Sequence, residues 1–134
     1  MDKIMLSKEL YTGNTLIDRQ HAEFLAICSR AVECAEHCGE SMKIMAFLKK
    51  LELAAEEHFS TEGKIMEDSI YPDKKGHLKL HGYFIDELRA IQRIAEAGET
   101  GERFAKDINE RLGQWFVLHI RKNDLKLFSY ITNK

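Results

Sequence analysis

The 134-residue chain is 44% hydrophobic and 31% charged, with a formal net charge of −2. That length suits one domain, 1–134, able to bury a sizeable core. The balanced charge offers no footprint for nucleic acid or an anionic membrane surface. Nothing reads as a signal peptide, and no apolar run approaches the ~18 residues of a membrane span. Cys28, Cys34 and Cys38 are an odd count without a C-x-x-C pair, which suits free thiols in a reducing, cytoplasmic compartment.

A single proline and long apolar stripes of helical period predict an all-α protein. Residues 1–17 read as an extended arm with a turn at Gly13-Asn14. The first helix is expected from about Asp18, as N-cap, to about His37, with Gly39 ending it. Its inner face is His21, Leu25, Cys28, Val32 and Ala35, and Cys34 and Cys38 point away from that face. The second helix runs from about Ser41 to about Ile70, where Tyr71-Pro72 stops it. It carries Ile44, Leu48, Leu51, Ala55, His58, Glu62 and Ile65 inward. The third starts after Pro72, ends near Gly98, and carries His77, His81, Phe84, Leu88, Ile91 and Ala95. The fourth begins near Gly101 and carries Phe104, Ile108, Leu112, Trp115 and His119. A short amphipathic segment follows within 121–134. Short connections make consecutive helices antiparallel neighbours, so residues 18–120 form an up-down-up-down four-helix bundle.

That topology brings distant residues to one end. His21 lies near the start of the first helix, His58 and Glu62 late in the second, His77 and His81 early in the third, and His119 late in the fourth. Each alone is weak, because a single histidine on an apolar stripe is ordinarily a satisfied core residue. Their agreement in face and level carries the reading. His37 is the internal control: it lies about 160° around the helix from His21 and should face outward. The i,i+4 pairs H-x-x-x-E and H-x-x-x-H share a helical face. The i,i+5 spacing of His119 and Asp124 does not fit one face of a continuous helix. It predicts that the fourth helix ends or bends, so that Asp124 folds back from the terminal segment.

Burying five imidazoles and two carboxylates needs partners, and a metal pair supplies them. Seven ligands exceed one tetrahedral zinc and suit two octahedral metals sharing bridging carboxylates. Imidazole-rich ligation favours iron, zinc or copper over magnesium or calcium; bridging carboxylates and six-coordination favour iron. Seven ligands plus a solvent-derived bridge leave one coordination position open, a place for a small gas such as O2. Phe24, Phe59, Trp115, Phe116 and Ile120 adjoin the ligand positions and are candidate walls of that pocket. No further acid, base or nucleophile cluster suggests catalysis.

The segments I-D-R-Q-H (17–21), H-F-S-T-E (58–62), Y-P (71–72), H-L-K-L-H (77–81) and W-F-V-L-H-I-R-K-N-D (115–124) resemble the hemerythrins, specifically single-domain bacterial ones, over roughly Leu10 to Ile131. The resemblance implies a non-haem, oxo- or hydroxo-bridged diiron centre that binds O2 reversibly. His77, His81 and His119 would hold one iron, and His21 and His58 the other, which keeps the open position; Glu62 and Asp124 would bridge both. It implies an oxygen carrier, store or sensor rather than an enzyme. The alternatives are a diiron oxidase, peroxidase or nitric-oxide-handling enzyme, or an iron store. A monomer with O2 as its partner is expected. The chain departs from the family in places. Leu6 stands where a tryptophan is common in the arm, and Phe116 where a leucine is usual. Gly82 and Gly113 lie inside helices, where close helix approach would account for them.

Overall fold

The computed structural model describes residues 4–37 and 39–133, so Cys38 lies outside the described residues. The helices are α1 (Thr15–His37), α2 (Ser41–Asp68), α3 (Lys74–Glu96), α4 (Glu102–Ile108), α5 (Trp115–His119) and α6 (Leu125–Thr132). Helix α1 packs on α2 and α4, and α2 on α3. No strand occurs among the described residues. The result is an all-α bundle of four antiparallel rods preceded by an arm that contains one short 3-10 turn, Lys8–Leu10.

The helix ends explain the boundaries. Helix α1 begins at Thr15, three residues before the expected Asp18, because Asn14 is the N-cap: its Oδ1 accepts from the Ile17 amide at 3.0 Å. Asp18 instead reaches back, its Oδ1 accepting from the Thr12 amide and hydroxyl, each at 2.8 Å. Helix α2 stops two residues before the expected Ile70. The Tyr71 amide donates to the Met66 carbonyl and the Ile70 amide to the Glu67 carbonyl, a Schellman closure with Ile70 in the left-handed position at φ 53°. Helix α3 closes the same way, but with Gly98 in that position at φ 97°.

The fourth rod corrects two expectations. It does not end after His119. Helices α4, α5 and α6 are joined by two π-helical segments, Asn109–Gln114 and Ile120–Asp124, and the backbone stays helical from Glu102 to Thr132. A π turn closes i→i+5 hydrogen bonds, so it places residues five apart on one face, as His119 and Asp124 require. The expectation failed because it allowed only the α-helical period. The earlier π segment also rotates the register downstream, so Phe116 is fully buried while Trp115 is only half-buried.

Cys34 is another correction: it is 4% exposed and belongs to the core. Helix α1 meets both α2 and α4, so its buried face is wider than a single stripe. His37 is exposed, as expected.

Two apolar clusters flank the ligand layer. The large core runs from Phe24, Phe84 and Phe116 through Leu48, Leu88 and Leu112 toward the far end of the bundle. On the other side lies a small cluster of Ile17, Met66, Tyr71, Leu127 and Phe128. Helix α6 therefore closes the near end of the bundle. The arm reaches the large core through Ile4 and Leu10, with Leu6 packed beside them. A Cβ on Gly113 would lie 2.9 Å from Ile4 Cγ1, so this glycine makes room for the arm. Gly82 has nothing within 4 Å of that position and is exposed, so close approach does not account for it. No described helix is long and apolar enough to cross a membrane.

Candidate metal centre

All seven candidate ligands are buried, and His81, at 5%, is the most exposed of them. Their side chains meet in two overlapping groups, one of Glu62, His77, His81, His119 and Asp124, the other of His21, His58, Glu62 and Asp124. Within each group the donor atoms lie within 4.8 Å of one another. Glu62 and Asp124 belong to both groups.

The imidazole nitrogens point inward at the carboxylates. His77 Nε2 lies 2.9 Å from Glu62 Oε1, His81 Nε2 3.1 Å from the same oxygen, and His21 Nε2 2.9 Å from Asp124 Oδ2. His77 and His119 each place Nε2 3.1 Å from Asp124 Oδ1. Yet His119 Nε2, Glu62 Oε2 and Asp124 Oδ1 find no partner in hydrogen-bond geometry. Buried polar atoms this close without bonding one another are aimed at a shared point rather than at each other. The 3.1 Å between the Nε2 atoms of His21 and His58 is close to the ~3.0 Å edge of an octahedron with ~2.1 Å metal–nitrogen bonds. The donor set fits a cation.

The charges agree. Burial alone would lower the pKa of His58 and His77, but the anionic carboxylates of Asp124 and Glu62 beside them outweigh it and raise both to about 9. Burial lowers His81, whose contacts with Glu62 do not make up the difference. Burial and the neighbouring Asp124 would raise Glu62, but His58, His77 and His81 hold it down at about 2. Asp124 overcomes its own burial in the same way, through His119, His21, His58 and His77, and lies well below the usual carboxylate range. Two carboxylates are thus kept anionic in the interior, and protons on His58 and His77 stand where a cation would sit.

The candidate pocket walls divide. Phe116 lies 5.7 Å from the His21 ring and 5.8 Å from the His58 ring, and Phe59 lies 5.8 Å from His58. Phe24 stacks on Phe116 at 3.9 Å rather than on either histidine ring. Phe84, assigned to the core stripe alone, completes a layer of four phenyl rings, at 5.4 Å from Phe24, 5.9 Å from Phe59 and 5.9 Å from Phe116. Ile120 is fully buried in the same core. Trp115 touches that layer through Phe84 at 5.1 Å, and its own ring is stacked on His119.

Sequence reasoning gave Gln20 no role. Its Oε1 accepts from His58 Nδ1 at 2.9 Å, and its amide donates to Thr61 Oγ1 at 3.2 Å. That contact keeps the proton on Nδ1 and turns the Nε2 lone pair into the cluster. The only signal was position: Gln20 precedes His21 by one residue, at the edge of the buried face.

The profile of the hemerythrin family, described as "Hemerythrin HHE cation binding domain", matches residues 12–131. The chain is similar to a bacteriohemerythrin of Pseudomonas aeruginosa, 27% identical over 124 residues that cover 92% of this chain and 78% of the relative. It is similar to a myohemerythrin of Sipunculus nudus, 30% identical over 111 residues, covering 83% and 79%. A bacteriohemerythrin of Stenotrophomonas maltophilia is 24% identical over 127 residues, covering 92% and 78%. No solved structure gives a significant match. With a profile that spans most of the sequence and a buried cluster of the cation-binding kind, this chain belongs to the hemerythrin family.

Proposed function

We propose that the chain binds O2 reversibly at a pair of iron ions, serving oxygen storage, transport or sensing. The observation that carries this reading is the pair of overlapping donor groups that share Glu62 and Asp124. His77, His81 and His119 would hold one ion, His21 and His58 the other, and the two carboxylates would bridge them. The iron pair, when bound, supplies the electrons and the open position for O2.

The protein's own contribution is placement and exclusion of water. Gln20 orients His58. Phe116 stands against His21 and His58, on the side with fewer nitrogen donors, and Phe59 bridges from His58 to His81. The phenyl layer and the α6 cluster together shut bulk water out of the centre, which favours release of the gas unchanged. Histidines outnumber carboxylates five to two in the cluster, unlike the carboxylate-dominated sites of ferritin-like bundles. This balance supports binding over oxidase, peroxidase or nitric-oxide chemistry, and over iron storage.

We also read the chain as monomeric and cytoplasmic, without a nucleic-acid or membrane partner. The near-neutral charge and the free, buried Cys28 support this. Sizing by light scattering checks the monomer.

Two measurements test the function together. Metal analysis should find about two irons per chain. The reduced protein should be colourless, gain a charge-transfer absorption in air and lose it under vacuum. Irreversible oxidation in air, or a single zinc, would overturn the proposal.

A further inference from the structure

We infer that Tyr83 and Trp115 form an electron-entry relay from the protein surface to the metal centre, ending at His119. The inference rests on the diiron reading above. The indole of Trp115 lies flat on the His119 imidazole, with centroids 4.9 Å apart and planes inclined by 8°. On its outer side the Tyr83 ring follows at 6.0 Å and 32°. Tyr83 is 53% exposed, Trp115 is half-buried and His119 is 3% exposed. Three aromatic rings therefore run in series from solvent to a donor atom 3.1 Å from Asp124.

Packing alone does not account for this row. A ring kept for core packing is normally buried, and Tyr83 leaves half its surface in water. The inner flank of Trp115 is already filled by Phe84 at 5.1 Å. The other rings at the histidines lead elsewhere. Phe59 stacks on His81 at 3.9 Å, but it continues into the buried phenyl layer. Tyr71 meets His77 nearly edge-on, at 6.4 Å and 78°, and Tyr130 meets Tyr71 in turn at 5.2 Å and 63°, an arrangement with little π overlap. Among the described residues, only the Tyr83–Trp115 row joins a stacked contact at a candidate ligand to a strongly exposed ring. Electron tunnelling falls steeply with distance and is favoured through stacked, electron-rich rings.

Such a relay has a use. Iron oxidised to the ferric state no longer has electrons to share with O2, and the enclosed centre keeps donors at a distance. A reduced flavin touching Tyr83 would lose one electron per encounter, and one iron(III) would become iron(II). Two encounters restore the pair, and no bond to the protein forms or breaks.

The test uses iron-loaded protein. Flavin mononucleotide semiquinone, generated by a light flash, should reduce the diferric protein about tenfold more slowly in Tyr83→Leu than in the parent. Tyr83→Phe, which keeps the ring, and Tyr130→Leu, on the edge-on row, should stay within about twofold of the parent. Iron content and far-ultraviolet circular dichroism establish that each variant is intact. For the inner leg, azide radicals from pulse radiolysis oxidise the only tryptophan in the ferrous protein. Its radical absorption should decay in step with iron oxidation. Unchanged reduction in Tyr83→Leu with iron intact, or a tryptophan radical that decays without oxidising iron, would overturn the relay and leave the oxygen-binding reading standing. A parent protein that holds no iron would remove both.

Discussion

Ile70 and Gly98 occupy the same place in two helix closures, and only one of them is suited to it. A β-branched residue in the left-handed region costs about 1–2 kcal/mol, and Ile70 at 79% exposure recovers little of that by burial. Ile70→Gly should stabilise the protein by about 1 kcal/mol, seen as a higher melting temperature. Gly82 is the mirror case. Nothing approaches it and it sits inside α3, so Gly82→Ala should add about 1 kcal/mol through helix propensity. At the metal centre, His58 and His77 titrate near 9 in the metal-free chain, so both carry protons at neutral pH. Metal binding should release them. The apparent affinity should then rise with pH up to about 9 and level off above it. Calorimetry in buffers of different ionisation enthalpy counts the protons; a release near zero at pH 7 would contradict the protonated pair.

Most of the candidate site was legible because its residues sit at α-helical spacings. His58 with Glu62 and His77 with His81 follow the i,i+4 rule, and topology alone carries His21 and His119 to their level. What escaped was where the helical period changes. Nothing in I-R-K-N-D marks a π turn, so the His119–Asp124 spacing suggests an end or a bend, and the α-helical period places Trp115 inward where Phe116 belongs. Gln20 and Phe84 escaped for another reason: their contacts run between helices, and a one-dimensional stripe does not show which neighbour a side chain meets. The π turn also makes a prediction. One alanine inserted after Lys122 would place Asp124 six residues from His119, off the shared face of either helix type. Iron should then fall clearly below two per chain while helicity persists, read by metal analysis and circular dichroism.

Across the whole molecule, the ligand layer separates a large core from the small cluster under α6. A buried layer of imidazoles and carboxylates is a liability without a cation. Removing the metal with a chelator should lower the melting temperature markedly, and ferrous iron added back anaerobically should restore it. The small cluster is the weaker barrier. Phe128→Ala should cost about 3–5 kcal/mol and speed iron loss to a chelator, because Phe128 is one of the few side chains closing that end.

His21 and Asp124 meet across 103 residues of sequence. On the ribosome, the first imidazole emerges long before the last carboxylate. Until Asp124 has left the exit tunnel, a nascent chain can assemble much of its bundle but not a finished cage. A cation held by the whole donor set would therefore report that every rod, down to the last, has docked.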